Sequence, residues 1–390
     1  MSWPTQKLET VADFCLGKML DQKKNRGEPL PYLANANVRW GEFDLADLRE
    51  MRFEQHELDR YGLKYGDIVM CEGGEPGRCA IWKEQCSSMM IQKALHRIRP
   101  HDCLRPEFLY YFFLHKGRTG HLASLFTGST IKHLPREKLA LVEVPLPPRS
   151  AQDQIASVLS AYDDLIENNR RRIQLLEQAA RLLYKEWFVH LRFPGYEHAK
   201  VVDGVPEGWE KKTLSEITDI TMGQSPKSIY YNNDGHGLPF HQGVTNFGVR
   251  FPSHETYCTV QSRIGEPGDI LFSVRAPVGR INITPDKIVI GRGLAAIRSN
   301  CDQQNYLFYA LKSHFFKEDM IGGGAIFAAI TKKDLHGVEL MQPTDRIAAV
   351  FMEHVLPIDL QIANLQQTIE RLTKARDLLL PKLMNGEVAV

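Results

Sequence analysis

The sequence predicts a duplicated mixed α/β (α+β) fold: two globular segments alternate with two long α-helices that pair as an antiparallel coiled coil. Three observations carry this expectation. The two halves of the chain resemble each other at a near-constant offset. Each half ends in a heptad pattern of apolar residues. Ahead of each heptad stand short apolar runs broken by Gly, Pro and Asn, the signature of short strands and turns.

The repeat is read directly from the residues. Trp3 to Leu8 and Trp209 to Leu214 both follow W-x-x-x-x-L. Gly66-Asp67-Ile68, followed by Gly77-Arg78, returns 202 residues later as Gly268-Asp269-Ile270, followed by Gly279-Arg280. Phe108-Leu109-Tyr110-Tyr111 is echoed by Tyr306-Leu307-Phe308-Tyr309. At an offset of 196, Gly128, Leu139, Val142 and Pro147 match Gly324, Leu335, Val338 and Pro343. Ile166, Ile173, Leu176, Leu182 and Leu183 match Ile362, Ile369, Leu372, Leu378 and Leu379 at the same offset. These matches define two copies of a unit of roughly 195 residues, each a globular segment followed by a helix.

The globular segments, 1–149 and 206–343, contain runs such as Gly66 to Met70, Gly268 to Phe272 and Val289 to Ile297, the last interrupted by Gly291 and Gly293. Helical stretches are expected near Pro106 to Lys116 and Asn305 to Phe316. The first long helix is predicted over 150–193, with Ser150 as N-cap and Asp153 three residues on. One seam holds Leu159, Ile166, Ile173, Ala180 and Trp187; the other holds Ile155, Tyr162, Asn169, Leu176 and Leu183. Phe193-Pro194-Gly195 stops it, and a linker of 194–205 follows. The second helical region, 344–390, carries Val355, Ile362, Ile369 and Leu383 on one seam and Phe351, Ile358, Leu365, Leu372 and Leu379 on the other. Arg376 breaks this seam, and Pro357 is expected to divide the region into a short helix and a long one. Each apolar seam needs a partner of similar length, and the other copy supplies it. Asn169 in the seam is expected to fix register.

Composition narrows the function. The chain of 390 residues has 48 Lys and Arg against 47 Asp and Glu, a net charge of +1. A protein that grips DNA alone usually carries a basic excess. Either this chain does not bind DNA, or partners supply many of the phosphate contacts. Seven cysteines without a C-x-x-C read as reduced thiols in the cytosol, not a zinc site. No run of about 18 apolar residues predicts a membrane span, and the first residues lack the layout of a signal peptide. The phosphate-loop, zinc-protease, nucleophile-elbow and dinucleotide motifs are all missing, as are the N-P-P-[YF] and D-P-P-[YF] sequences of amino-methyltransferases. The triplet Gly322-Gly323-Gly324 is followed by Ala, Ile and Phe rather than a basic residue. The basic runs Lys23-Lys24-Asn25-Arg26 and Arg170-Arg171-Arg172 read as solvated faces. These features point toward a binding protein.

Several motifs then make the reading specific. The second globular segment opens with Pro206-Glu207-Gly208-Trp209. The first long helix closes with Leu183-Tyr-Lys-Glu-Trp-Phe-Val189, and the chain closes with Leu378-Leu-Leu-Pro-Lys-Leu-Met-Asn-Gly-Glu-Val388. Together with the alternation of globular segment and helix, they resemble the specificity subunit of type I restriction-modification systems over essentially the whole chain. The resemblance implies that each globular segment is a target recognition domain reading one half of a split double-stranded DNA site. It implies that the paired helices set the distance between half-sites and dock two methyltransferase subunits, with restriction-translocase subunits joining through those. The chain itself would be non-catalytic, cytoplasmic and free of nucleotide, methyl donor or metal. The complex would be an adenine DNA methyltransferase and ATP-dependent endonuclease. The alternative is a stand-alone sequence-specific regulator built from the same duplicated unit.

Residues for DNA contact are sought in loops at equivalent places of both repeats, because Arg, Asn, Gln and Lys read base edges and Lys, Arg, Ser and Thr hold the backbone. The first pair of loops offers Asn35, Asn37 and Arg39 against Gln242, Thr245 and Asn246. The second offers Arg78 against Arg275 and Arg280, and the third offers Ser129, Thr130, Lys132 and His133 against Thr331, Lys332 and Lys333. Readers of different sequences should differ at base contacts and agree at structural positions. By that logic Arg275, opposite Gly73, is the stronger base-reading candidate than Arg280.

Overall fold

The computed structural model describes residues 3–21, 25–315 and 329–388. Lys23, Lys24, Phe316 and the triplet Gly322 to Gly324 lie outside the described residues. The chain divides into two compact units: residues 1–168 with 369–390, and residues 169–368. Each unit therefore takes one globular segment and a portion of both long helices.

In the first unit an antiparallel four-stranded sheet runs in the order Ala12–Leu16, Leu95–Pro100, Ile68–Cys71, Cys79–Ile81. The strand Ile68–Cys71 is buried on both faces, so its unbroken apolar run reflects two covered sides. The helix Pro106–Arg118 is buried all round from Phe108 to Leu114, sharing a core with Leu8, Ile68, Ile98, Leu104 and Val144 and with Ile155 and Leu159 of the first long helix. Each such large side chain, fully buried, contributes about 1.5–3 kcal/mol. A second sheet places Glu28–Leu33 antiparallel to Arg49–Phe53 and parallel to Met90–Ile91.

The second unit repeats this plan. Its four-stranded sheet has the order Thr218–Met222, Leu294–Ser299, Ile270–Ser273, Ile281–Ile283, and the helix Gln304–Phe315 packs on it. Its second sheet again contains a parallel pair, Leu238–His241 with Ile288–Ile290. The Gly-Asp-Ile repeat has a local cause. Gly66 and Gly268 take φ of +87° and +89°, open to glycine at no steric cost. The aspartate that follows accepts a turn amide: Asp67 from Lys64 N at 2.7 Å, Asp269 from Glu266 N at 2.8 Å. Each is also held by an arginine of the neighbouring strand, Arg99 at 2.6 Å and Arg298 at 2.6 Å.

The first long helix spans Arg149–Tyr184 and continues as a π-helical turn, Lys185–Val189. It starts one residue before the expected N-cap Ser150, because Pro148 O accepts from Ala151 N and Gln152 N and so opens the first turn. Most of the expected seam is buried: Ile155, Leu159, Ile166, Asn169, Ile173, Ala180 and Trp187 are inside, while Tyr162, Leu176 and Leu183 are half-buried. Arg170, Arg171 and Arg172 are exposed.

The second long helix, Asp345–Met384, is one continuous element. The division expected at Pro357 does not occur. Pro357 and Glu353, whose carbonyl loses its partner there, are both exposed, so water can satisfy that carbonyl. The helices run antiparallel within each unit. In the first unit Ile155 and Leu159 share a core with Leu380 and Leu383; in the second, Ala180 and Tyr184 share one with Phe351 and Val355. Arg376, the seam-breaker, is buried but paired, donating to Asp163 at 2.6 Å and to Asp377 at 2.7 Å.

Candidate nucleic-acid interface

The three loops picked out in the first repeat meet. Asn35 donates through Nδ2 to Gly73 O at 2.7 Å, and its own carbonyl accepts from Arg78 Nη2 at 3.0 Å. Arg78 also pairs with Glu75 at 2.9 Å, and Trp40 Nε1 donates to Glu75 at 2.6 Å. The third loop is a short hairpin: Thr127 N donates to His133 O at 2.8 Å and His133 N to Thr127 O at 2.9 Å. Leu134 N then donates to Glu72 O at 2.7 Å, which seats the hairpin beside Gly73. Gly128, at φ +93°, is required there, because a Cβ would stand 2.2 Å from Ile131 O.

The loops of the second repeat meet through a fourth segment. Gly293 N donates to Gln242 O at 3.1 Å, Val274 N to Gly293 O at 2.9 Å, and Ile330 N to Val274 O at 2.9 Å. Gln242, Arg275 and Thr331 thus flank one connected rim. Arg275 pairs in a backbone bridge with Ala329, as Gly73 does with His133, so the matching of Arg275 with Gly73 holds in three dimensions.

The candidate side chains divide by what they already do. Asn35, Asn37 and Arg78 bind the scaffold, although Asn35 Oδ1 and Arg78 Nε are buried with no hydrogen-bond partner among the described residues; Asn37 accepts from Ala34 N at 2.9 Å and donates to Asp44 O at 3.0 Å. Thr331 caps the helix Lys332–His336, accepting from Asp334 N while Asp334 accepts from Thr331 N. Asn246 is half-buried, with its carbonyl taken by Ser253 N at 2.9 Å. By contrast Arg39, Ser129, Thr130, Lys132, His133, Gln242, Thr245, Arg275, Arg280, Lys332 and Lys333 are exposed. Arg39 lies 3.7 Å from Asp44, a loose surface pair. The guanidinium groups of Arg275 and Arg280 make no ion pair with any described residue.

Sequence reasoning missed several rim residues. Ser225 Oγ donates to Gln242 Oε1 at 2.7 Å and accepts from Arg292 N at 3.2 Å. The Gly291-Arg292-Gly293 triplet, seen only as an interruption of a strand, could have flagged Arg292; nothing local marks Ser225. Next to Gln242, His241 is buried and contacts His254 Nδ1 through Nε2 at 2.9 Å. Burial, and then the charge of His254, push the His241 pKa down to about 4. Among the described residues no group of three His, Cys, Asp or Glu is placed to hold a metal, and no helix is long and apolar enough to cross a membrane.

A duplicated α/β unit on paired helices, with exposed arginine and lysine on one loop cluster per unit, defines a two-reader DNA-recognition protein. The family model described as the type I restriction modification DNA specificity domain matches residues 2–178 and 206–374, and the chain belongs to this family. It is a specificity subunit of a type I restriction-modification system, the non-catalytic member. It is 32% identical over 402 aligned positions to the MjaX type I restriction enzyme specificity subunit of Methanocaldococcus jannaschii, covering 100% of this chain and 94% of that one. A second specificity subunit of that organism, MjaIX, is 27% identical over 412 positions, again covering 100% of this chain and 94% of the relative. The S subunit crystal structure from M. genitalium shares the fold, with a TM-score of 0.59 over 98% of this chain and 96% of that one at 18% identity.

Proposed function

We propose that each unit reads one half of a split double-stranded DNA site, and that the two long helices set the unspecified gap between the halves. The observation that carries this reading is the matching cluster of exposed, basic loops in both units, built on duplicated scaffolds. Arg39, Ser129, Thr130, Lys132 and His133 contact DNA from the first unit. Gln242, Thr245, Arg275, Arg280, Lys332 and Lys333 do so from the second. Asn35, Asn37, Arg78, Asn246 and Thr331 shape the loops that present them. A helix of 36 residues is about 54 Å long, enough to cover between one and two turns of duplex at about 34 Å each.

With a net charge of +1, the chain shares the phosphate contacts with partners. These are two methyltransferase subunits docked on the helices, with restriction-translocase subunits joining through them, and the complex works in the cytoplasm. The test is to co-express the chain with its neighbouring methyltransferase and map adenine methylation across the host genome. Two short defined sequences around a fixed unspecified gap are expected. A single unsplit motif would overturn the two-reader reading.

A further inference from the structure

We propose that Arg292 reads a guanine in the half-site recognised by the second unit, held in position by Ser225 and Gln242. This rests on the two-reader reading above and adds a specificity-determining residue to it.

Arg292 sits at the tip of a turn built for close approach. Gly291 N donates to His241 O at 2.8 Å and Gly293 N to Gln242 O at 3.1 Å, so both flanking glycines lie against the 241–243 segment. A Cβ on Gly291 would stand 2.8 Å from Gln242 Cα, and one on Gly293 would stand 2.5 Å from Gln242 O. Neither position admits another residue without moving the loop. Between them the Arg292 amide is fastened to Ser225 Oγ at 3.2 Å, and the same hydroxyl donates to Gln242 Oε1 at 2.7 Å. The backbone of Arg292 is therefore held on both sides and beneath, while its side chain is exposed. Its guanidinium makes no hydrogen bond or ion pair with any described residue. A fixed backbone carrying an uncommitted planar fork of donors suits the O6 and N7 acceptors of guanine in the major groove.

The first unit shows what differs. Gln92 N donates to Leu33 O at 3.0 Å, as Gly291 N does to His241 O, and Lys93 then takes the place of Arg292. Ala34 follows Leu33 where Gln242 follows His241, and exposed Met19 follows Lys18 where Ser225 follows Gln224. The bond that enters the turn is shared, but the Lys93 amide donates to Lys18 O at 2.8 Å where the Arg292 amide donates to Ser225 Oγ, and the three presented side chains differ, as expected where two readers recognise different bases.

The experiment measures methylation motifs, and binding to the matching duplexes, for the full chain with its methyltransferase partner. Native protein is compared with Arg292→Lys, Arg292→Ala and Ser225→Ala, each checked for native circular dichroism. The proposal expects both Arg292 variants to lose roughly tenfold to hundredfold discrimination at one guanine of one half-site, leaving the other half-site unchanged. Ser225→Ala should relax the same position by less. Even weakening across all sequences, repaired by Arg292→Lys, would mean a phosphate contact and would overturn the proposal while leaving two-reader recognition intact. Unchanged motifs in both variants would do the same. No split motif for the native complex would defeat the underlying reading itself.

Discussion

At the scale of single residues, the two units solve one problem in different ways. In each, a tyrosine of the globular segment donates to an aspartate of a long helix: Tyr111 to Asp163 at 2.8 Å, and Tyr309 to Asp359 at 2.6 Å. Each aspartate also takes an arginine. In the first unit it is Arg376, from the opposite helix. In the second it is Arg250, from a loop beside the candidate rim, which reaches Glu177 at 2.6 Å and Asp359 at 2.9 Å and lies 4.2 Å from the Phe308 ring centre. Burial opposes ionisation of Glu177, but Arg250 and Lys312 outweigh it and hold the carboxyl below its usual range. Arg250→Ala should therefore leave Asp359 without a cation among the described residues and Glu177 with Lys312 alone, and cost about 3–5 kcal/mol. Urea unfolding followed by fluorescence reports it, since Trp187 and Trp209 lie in that unit's core. A loss under about 1 kcal/mol would show that Lys312, Tyr309 and Asn305 satisfy the carboxylates alone. His241 makes a pH prediction. Its folded pKa, about 4, lies below the ordinary 6.5, so between those values the unfolded chain takes a proton that the folded one refuses. Its contribution is complete above about pH 6.5 and falls away as the pH drops toward 4, by roughly 3 kcal/mol in all. His241→Gln should flatten that part of the pH–stability curve; an unchanged slope would assign it elsewhere.

At the scale of elements, the helices were the most legible part of the sequence. A period of 3.5 survives local irregularity, and the expected seam residues Leu159, Ile166, Ile173, Val355 and Ile362 are buried. What escaped was the response to particular residues. Pro357 reads as a break, yet solvent exposure makes its lost hydrogen bond cheap, and packing on either side carries the helix through. Pro357→Ala should then restore that bond and stabilise the second unit by about 1–3 kcal/mol in the same urea measurement. Destabilisation would mean that packing depends on the proline's bend. Short strands were least legible. Met90–Ile91 is two residues long and pairs in parallel with a strand some sixty residues away, a contact no local pattern encodes. The loops were found because they repeat, but their roles were not readable: Asn35 and Thr331 look like readers in sequence and serve as internal hydrogen-bonding groups. Arg292 and Ser225 meet only through folding.

For the whole molecule, the account makes the helices a ruler and the units independent readers. Both long helices pass from one compact unit to the other, after Asn168 and after Thr368. Inserting one matched heptad at both points should lengthen the gap by about 10 Å, or about 3 base pairs, with both half-site sequences unchanged. An unchanged gap would show that the spacing is set outside the helices. The central claim, one unit for each half-site, is met most directly by replacing residues 206–343 with the corresponding segment of a relative whose complex methylates a different site, then mapping adenine methylation in cells. The account predicts a hybrid motif in which one half-site changes and the other half-site and the gap stay the same. Change in both half-sites at once would contradict it.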